Sequence, residues 1–207
     1  MFIAALQKIT LSDFPGRVAA LLFCQGCNFR CPFCHNGSLL CGPEPGLPSI
    51  PPHEVLAYLE KRAGKISGLV ISGGEPSLQP ELAGFCREVK GLGLAVKLDT
   101  NGSQPQVIED LLAQGLLDFI AMDIKAPLHR YPELAGRHQV DTDAIRASID
   151  IIGASGIDHL FRTTDVTPLL TEEDHRAIAA LVPAGSRHLR QPFIAANSLD
   201  PSLAPSS

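Results

Sequence analysis

The sequence lacks the features of a membrane anchor, an export signal and a nucleic-acid surface. No apolar run approaches the roughly 18 residues that cross a bilayer, and the longest, 18–23, has the length of a strand. Residues 1–8 have neither the basic start nor the apolar stretch of a secretory signal. The 17 Lys and Arg are outnumbered by 22 Asp and Glu, whereas nucleic-acid binders normally carry a basic excess. These absences predict a cytoplasmic protein with no membrane or nucleic-acid partner.

The cysteines are not spread along the chain as a disulfide framework requires. Four of the six lie between Cys24 and Cys34. Disulfide scaffolds are short chains that cannot build a sufficient core. Here 45% of the residues are hydrophobic and 19% are charged, which are the proportions of a globular domain with a core of its own. Clustered cysteines in such a domain indicate metal or redox chemistry.

Apolar runs alternate with amphipathic segments, the pattern of a sheet with helical connections. Strands are predicted over 17–23, 68–72, 94–99, 119–125, 159–164 and 186–190. Helices are predicted over 51–62, 80–91, 105–114, 142–154 and 172–182, and a Pro- and Gly-rich loop over 41–48. Six such units imply parallel strands with right-handed crossovers, too few to close an eight-stranded barrel. The sequence therefore predicts an α/β fold, a partial (β/α)6 TIM-like barrel over 1–196, followed by a flexible tail over 197–207.

Polar motifs follow four of these strands at the point where each strand ends. The cysteines follow the first strand, and the motifs after the next three are Gly73-Gly74-Glu75-Pro76, Asp99-Thr100-Asn101-Gly102 and Asp123-Ile124-Lys125. In parallel α/β folds, ligands bind beyond the C-terminal ends of the strands. Scattered polar residues would not coincide with strand ends in this way. The motifs are therefore predicted to line one site.

The densest motif is Cys27-x3-Cys31-x2-Cys34, in the loop after the first strand. Thiolates are ligands for zinc and for iron–sulfur clusters. A structural zinc site normally uses two cysteine pairs separated by a longer loop, and the three residues after Cys27 are too few for that arrangement. A cubane cluster is broader, and three thiolates on one short loop can reach three of its irons. The other cysteines are predicted to be free thiols without a ligand role, as buried cysteines often are: Cys24, Cys41 and Cys86.

This spacing, with the aromatic Phe33 before the last cysteine, strongly resembles the radical S-adenosylmethionine (SAM) superfamily. The resemblance implies a [4Fe–4S] cluster on the three cysteines, with SAM chelated to the fourth iron through its amino and carboxylate groups. His35 is expected beside the nucleotide pocket. Residues 9–17, Ile-Thr-Leu-Ser-Asp-Phe-Pro-Gly-Arg, make the chain similar to activating proteins of anaerobic ribonucleoside-triphosphate reductase and to pyruvate formate-lyase activating enzymes. The resemblance extends over about 8–191.

By the same resemblance, the motif after the second strand binds the methionine amino group of SAM. Its residues are Gly73, Gly74, Glu75 and Pro76. Glycines permit a close backbone approach to a ligand, and Glu75 supplies an acceptor for an ammonium group. A glycine pair after a strand usually indicates only a turn, so the assignment depends on the cysteine loop one strand earlier.

The carboxylates after the third and fourth strands are expected to lie near the carboxylate of SAM. The resemblance implies that Asp99, Thr100 and Asp123 contact SAM and a monovalent cation, and that Lys125 faces the SAM carboxylate. Electrostatics favours a cation, because neighbouring carboxylates repel one another unless a positive charge is close. Simple capping of the following segments is the alternative for these strand ends. Arg162, at the end of the fifth strand, either grips a carboxylate or forms a surface salt bridge.

The resemblance implies an activase that reductively cleaves SAM and abstracts a hydrogen from a glycine of a glycyl radical enzyme. Anaerobic ribonucleoside-triphosphate reductase is the expected partner, and a flavodoxin or ferredoxin is the expected electron donor. No segment resembles a glycyl-radical loop, so the partner is expected to be a separate chain. Two alternatives stay open. One is a radical SAM enzyme acting on a small molecule or a peptide, and the other is a non-catalytic zinc or iron–sulfur scaffold.

Overall fold

The computed structural model describes residues 1–42, 48–167, 169–195 and 198–203. In that part of the chain, seven strands form one sheet in sequence order. The strands are β1 (Ile3–Thr10), β2 (Ala19–Cys24), β3 (Gly68–Gly73), β4 (Ala95–Thr100), β5 (Phe119–Asp123), β6 (Asp158–Asp165) and β7 (His188–Pro192). The α-helices are α1 (Pro52–Lys61), α2 (Leu82–Gly91), α3 (Pro105–Ala113), α4 (Tyr131–Leu134), α5 (Thr142–Ala154) and α6 (Glu172–Ala179).

The predicted partial barrel is confirmed. Strands β2 to β7 are parallel, and within the described ranges the sheet ends at β7 without pairing back to β1. The central strands β2 to β5 are buried on both faces, as parallel strands covered by helices are. That double burial explains why their apolar runs could be recognised in the sequence.

The antiparallel edge strand β1 was not predicted. It lies at the edge of the sheet, most of its side chains are partly or fully exposed, and two register shifts interrupt its pairing with β2. Edge position and irregular register remove the clean alternation that marks a strand in a sequence. The short helix α4 was also missed, and β7 begins two residues later than predicted. Most of the predicted loop over 41–48 falls on 43–47, outside the described residues.

Two apolar layers flank the sheet. On the outer face the helices pack, as in α2, where Leu82, Phe85 and Val89 are buried at helical spacing. Each such side chain contributes about 1.5–3 kcal/mol through burial. On the inner face Phe14 packs edge-on against Phe119, with ring centroids 6.2 Å apart. This contact fills the inner face near the beginnings of the strands. The space left open on the inner face is therefore at the C-terminal ends of the strands, where the polar residues lie.

Residues 198–203 lie against the cysteine loop. The backbone N–H of Leu199 donates to the carbonyl oxygen of Cys34 at 3.0 Å, and that of Asp200 donates to the carbonyl of Pro32 at 2.8 Å. This part of the predicted tail is therefore attached to the domain, whereas 204–207 lie outside the described residues. Across the stretches that the structure describes, no helix is long and apolar enough to span a bilayer.

Candidate active site

A pocket of about 410 Å³ opens at the C-terminal ends of the parallel strands. That volume is in the range of small-molecule sites, about 300–1,000 Å³. The predicted site residues that line it are Cys27, Cys31, Phe33, Cys34, His35, Gly73, Gly74, Glu75, Asp99, Thr100, Asp123, Lys125 and Arg162. Pro76 is not among its lining residues. It is buried at the start of a 3-10 turn that follows Glu75.

The cysteine loop is held by its own backbone and by the neighbouring helix α4. The guanidinium of Arg30 donates to the carbonyl oxygens of Cys27 at 2.7 Å and Phe29 at 2.8 Å. Phe29 packs edge-on against Tyr131 of α4, with ring centroids 6.3 Å apart. Cys31 is buried, and burial raises the pKa of its thiol to about 12. This thiol is therefore neutral at ordinary pH and must lose its proton when it becomes a metal ligand.

The donor set fits a wide iron–sulfur cluster better than a single ion. Three free thiols on one loop face the same pocket. Among the residues that the structure describes, no three His, Cys, Asp or Glu side chains are grouped so as to hold one metal ion. A structural zinc ion requires four ligands at about 2.0–2.3 Å around one point. Three separated thiols suit a cluster whose irons are themselves separated.

The glycines at the end of β3 bring two backbone segments together. Gly73 has φ +116°, and a Cβ there would lie 2.3 Å from the backbone nitrogen of Cys24. A Cβ on Gly74 would lie 2.1 Å from the carbonyl oxygen of Gly26. We expected the glycines to make room for a ligand. In the structure the end of β2 fills the space where a Cβ of Gly73 would be, and the cysteine loop fills that space at Gly74. The glycines therefore let the end of β3 pack closely against both segments.

Glu75 is fully buried and joins the ends of β3 and β4. Its carboxylate accepts hydrogen bonds from the backbone N–H groups of Ser77 (3.0 Å) and Asn101 (2.6 Å) and from the hydroxyls of Ser77 (2.5 Å) and Thr100 (2.7 Å). Burial raises the pKa of Glu75, although all four donors act to lower it. The carboxylate therefore already has four protein partners. Its contact with an ammonium group of a ligand stays a prediction.

Five charged side chains form one linked cluster at the ends of β4, β5 and β6. Lys97 contacts Asp99, and Arg162 donates to Asp123 at 2.8 Å and reaches Asp99 at 3.5 Å. Lys125 donates to Asp123 at 3.0 Å. Burial would raise the pKa of Asp123, but Arg162 and Lys125 outweigh it and hold that pKa below its usual 3.8. Arg162 is therefore part of a mostly buried network and not of a surface salt bridge.

This cluster corrects the electrostatic argument for a monovalent cation. Lys125 was expected to be the one positive side chain facing two carboxylates and the carboxylate of SAM. The structure adds Lys97 and Arg162, so the five side chains carry one positive charge in excess. Among the described residues of this cluster, positive charge is therefore not in short supply. The electrostatic reason for inferring a cation no longer holds.

Sequence reasoning missed two contributors to the site. Lys97 stands two residues before Asp99 on the same strand, hence on the same face, and a lysine within an apolar strand was the available signal. Asn101 was noted only as part of a strand-end motif. Its side-chain amide donates to the side-chain oxygen of Asn28 at 2.9 Å and approaches the sulfur of Cys27 at 3.9 Å. It thus connects the end of β4 to the cysteine loop.

Phe33 and His35, two ring-bearing residues of the loop, lie in different environments. Phe33 is buried in the core. His35 is exposed, and its ring stacks on Phe193 with centroids 5.8 Å apart and contacts the carbonyl oxygen of Ile194. His35 therefore lies between the pocket and the segment that follows β7.

Comparison with known families agrees with this arrangement. Residues 21–182 match the radical SAM superfamily. The chain belongs to that superfamily, whose members use a [4Fe–4S] cluster and SAM. It is a radical SAM enzyme homologous to glycyl-radical enzyme activating enzymes. A Methanocaldococcus jannaschii protein named as such an activating enzyme is 32% identical over 184 residues, covering 87% of this chain and 75% of that protein.

Two further comparisons extend the result. The pyruvate formate-lyase-activating enzyme of Clostridium pasteurianum is 28% identical over 195 residues, which is 87% of this chain and 75% of that enzyme. The crystal structure of Streptococcus suis SuiB bound to S-adenosylmethionine superposes with a TM-score of 0.64 at 14% identity. The match covers 82% of this chain and only 39% of the SuiB chain, so this likeness concerns the fold alone.

Proposed function

We propose that this protein activates a glycyl radical enzyme, and that anaerobic ribonucleoside-triphosphate reductase is the partner. The observation that carries the proposal is the pocket at the strand ends, where three free cysteines face a charge cluster with one positive charge in excess. Similarity of residues 9–17 to the activating proteins of that reductase supports this choice of partner. A reduced flavodoxin or ferredoxin is the proposed electron donor.

Each part of the pocket has a proposed task. Cys27, Cys31 and Cys34 would hold the cluster, and Lys125 with Arg162 would bind the SAM carboxylate through their excess positive charge. When bound, the cluster and SAM supply the radical that removes hydrogen from a glycine. The protein orients both groups and, through the buried inner face beneath the pocket, keeps water from the reacting atoms.

The test combines metal content, SAM cleavage and radical formation. Anaerobically reconstituted protein should contain iron and sulfide and should release 5′-deoxyadenosine from SAM with a chemical reductant. Addition of the reductase should then give a glycyl radical by electron paramagnetic resonance, and a partner variant with alanine at the radical glycine is the control. Cleavage of SAM without a protein radical, together with turnover of a small molecule or peptide, would support the small-molecule or peptide alternative. Stoichiometric zinc without SAM cleavage would support a scaffold.

A further inference from the structure

Lys97 is an unusual residue for its position. It lies within β4, between the buried residues Val96 and Leu98, and is itself only 3% exposed. Its ammonium group contacts Asp99 and lies 5.8 Å from the centroid of the Phe119 ring. Removing a lysine from water costs several kcal/mol unless the charge is paired, and the contact with Asp99 supplies that pairing.

Lys97 is also the closest positive partner of Asp99. The other one, Arg162, lies 3.5 Å from Asp99 and is shared with Asp123 at 2.8 Å. Lys125 pairs with Asp123 at 3.0 Å. Without Lys97, Asp99 would keep only the longer contact with Arg162 among these five side chains, and the cluster would lose its excess positive charge.

The other carboxylates of the pocket are bound elsewhere. Glu75 accepts from Ser77, Thr100 and Asn101, and Asp13 accepts from the hydroxyls of Thr10 and Ser12. The positive side chains of the five-residue cluster are therefore available to pair with Asp99, Asp123 and a ligand carboxylate.

We propose that Lys97 is a positioning residue that supplies the fixed positive charge for Asp99, so that the pocket binds a carboxylate ligand without a monovalent cation. Lys97 does not line the pocket itself and acts through Asp99 and Arg162, which do. The proposal rests on the proposed function only in taking SAM as that ligand. The ammonium group of Lys97 thus supplies the positive charge that a bound K⁺ or Na⁺ would otherwise supply.

The first test measures SAM binding to the cluster-loaded protein by equilibrium dialysis, in KCl and in choline chloride at equal ionic strength. The wild type should bind SAM equally in both salts. Lys97→Met should bind about tenfold more weakly in choline chloride, the size of one lost charged hydrogen bond, and KCl should restore part of the affinity. Lys61→Met, on the exposed end of α1, is the control and should bind as the wild type does. A wild type that loses affinity in choline chloride, or a Lys97→Met variant that keeps it there, would overturn the proposal.

The second test uses the thermal unfolding midpoint of the cluster-free protein and does not depend on SAM or on a partner. KCl in place of choline chloride should raise the midpoint of Lys97→Met but not that of the wild type, because only the variant leaves Asp99 short of a cation. The double variant K97M/D99N should lose this response. An equal response in the double variant would refute Asp99 as the partner, and a response in the wild type would refute the proposal even if Lys97→Met does not fold. Failure of SAM cleavage alone would count against the proposed function and leave this result unchanged.

Discussion

Replacement of Glu75 tests whether one buried carboxylate holds two strand ends together. Glu75→Ala removes the acceptor of four hydrogen bonds and leaves two buried backbone N–H groups, those of Ser77 and Asn101, without their partner. An unsatisfied buried donor costs about 1–3 kcal/mol, so the expected loss in the free energy of unfolding is about 2–6 kcal/mol. The two hydroxyl donors can rotate toward other acceptors and add less.

Glu75→Gln separates the charge of this side chain from its shape. Glutamine keeps the volume but presents an amide where one carboxylate oxygen accepted from the backbone of Asn101. Burial raises the pKa of Glu75, so removal of the charge also relieves a desolvation cost. The expected loss is therefore smaller, about 1–3 kcal/mol.

The assay is urea unfolding of the cluster-free protein under reducing, anaerobic conditions. Glu81→Ala is the matched control, because its side chain is 65% exposed and its ion pair with the N-terminal ammonium group lies at the surface. Exposed ion pairs contribute little to stability, so Glu81→Ala should unfold almost as the wild type does. If Glu75→Ala unfolded within about 0.5 kcal/mol of the wild type, as an ordinary surface change does, the four hydrogen bonds would not be what joins β3 to β4. If the cluster-loaded variant also kept the wild-type dissociation constant for SAM, its predicted contact with the ligand ammonium group would be wrong.

Three further predictions concern the cysteine loop, the glycine junction and the charge cluster. Replacement of Cys27, Cys31 or Cys34 by alanine should abolish cluster loading, measured as iron and sulfide per chain. Replacement of Cys24, Cys41 or Cys86 should not, and the reverse pattern would refute the ligand set. Gly74→Ala places a Cβ 2.1 Å from the carbonyl oxygen of Gly26 and should lower the thermal midpoint, whereas Gly84→Ala, in α2 with no atom within 4 Å, should add about 0.5–1 kcal/mol. A Gly74→Ala variant as stable as the wild type would contradict this junction. Because the pKa of Asp123 is held below its usual 3.8, the pairing of Asp123 stabilises the protein above that pH, and this stabilisation is lost as the pH falls below it. In urea unfolding at a series of pH values, the free energy of unfolding of Asp123→Asn should therefore fall less on acidification than that of the wild type. An equal fall in both proteins would contradict the pairing.

The sequence could predict that these motifs line one pocket because the topology fixes where they lie. Parallel strands place their C-terminal ends at one edge, so the motifs after β2, β3, β4 and β5 had to meet once the strands were recognised. The partners within the site could not be predicted in the same way. That Arg162 reaches Asp123 depends on the register of β5 and β6, which pairs these two residues. Lys97 could have been placed beside Asp99 from strand periodicity, but its burial depends on Phe119, which lies on the next strand.

The attachment of residues 198–203 has a consequence for how the cysteine loop is completed. The carbonyl groups of Pro32 and Cys34 receive their backbone donors from Asp200 and Leu199, which are among the last residues of the described chain to be synthesised. On a ribosome the thiols emerge long before these donors, so these two hydrogen bonds can form only after every strand of the sheet has been synthesised. A chain that stops after β7 would lack the two backbone donors that these carbonyl groups receive.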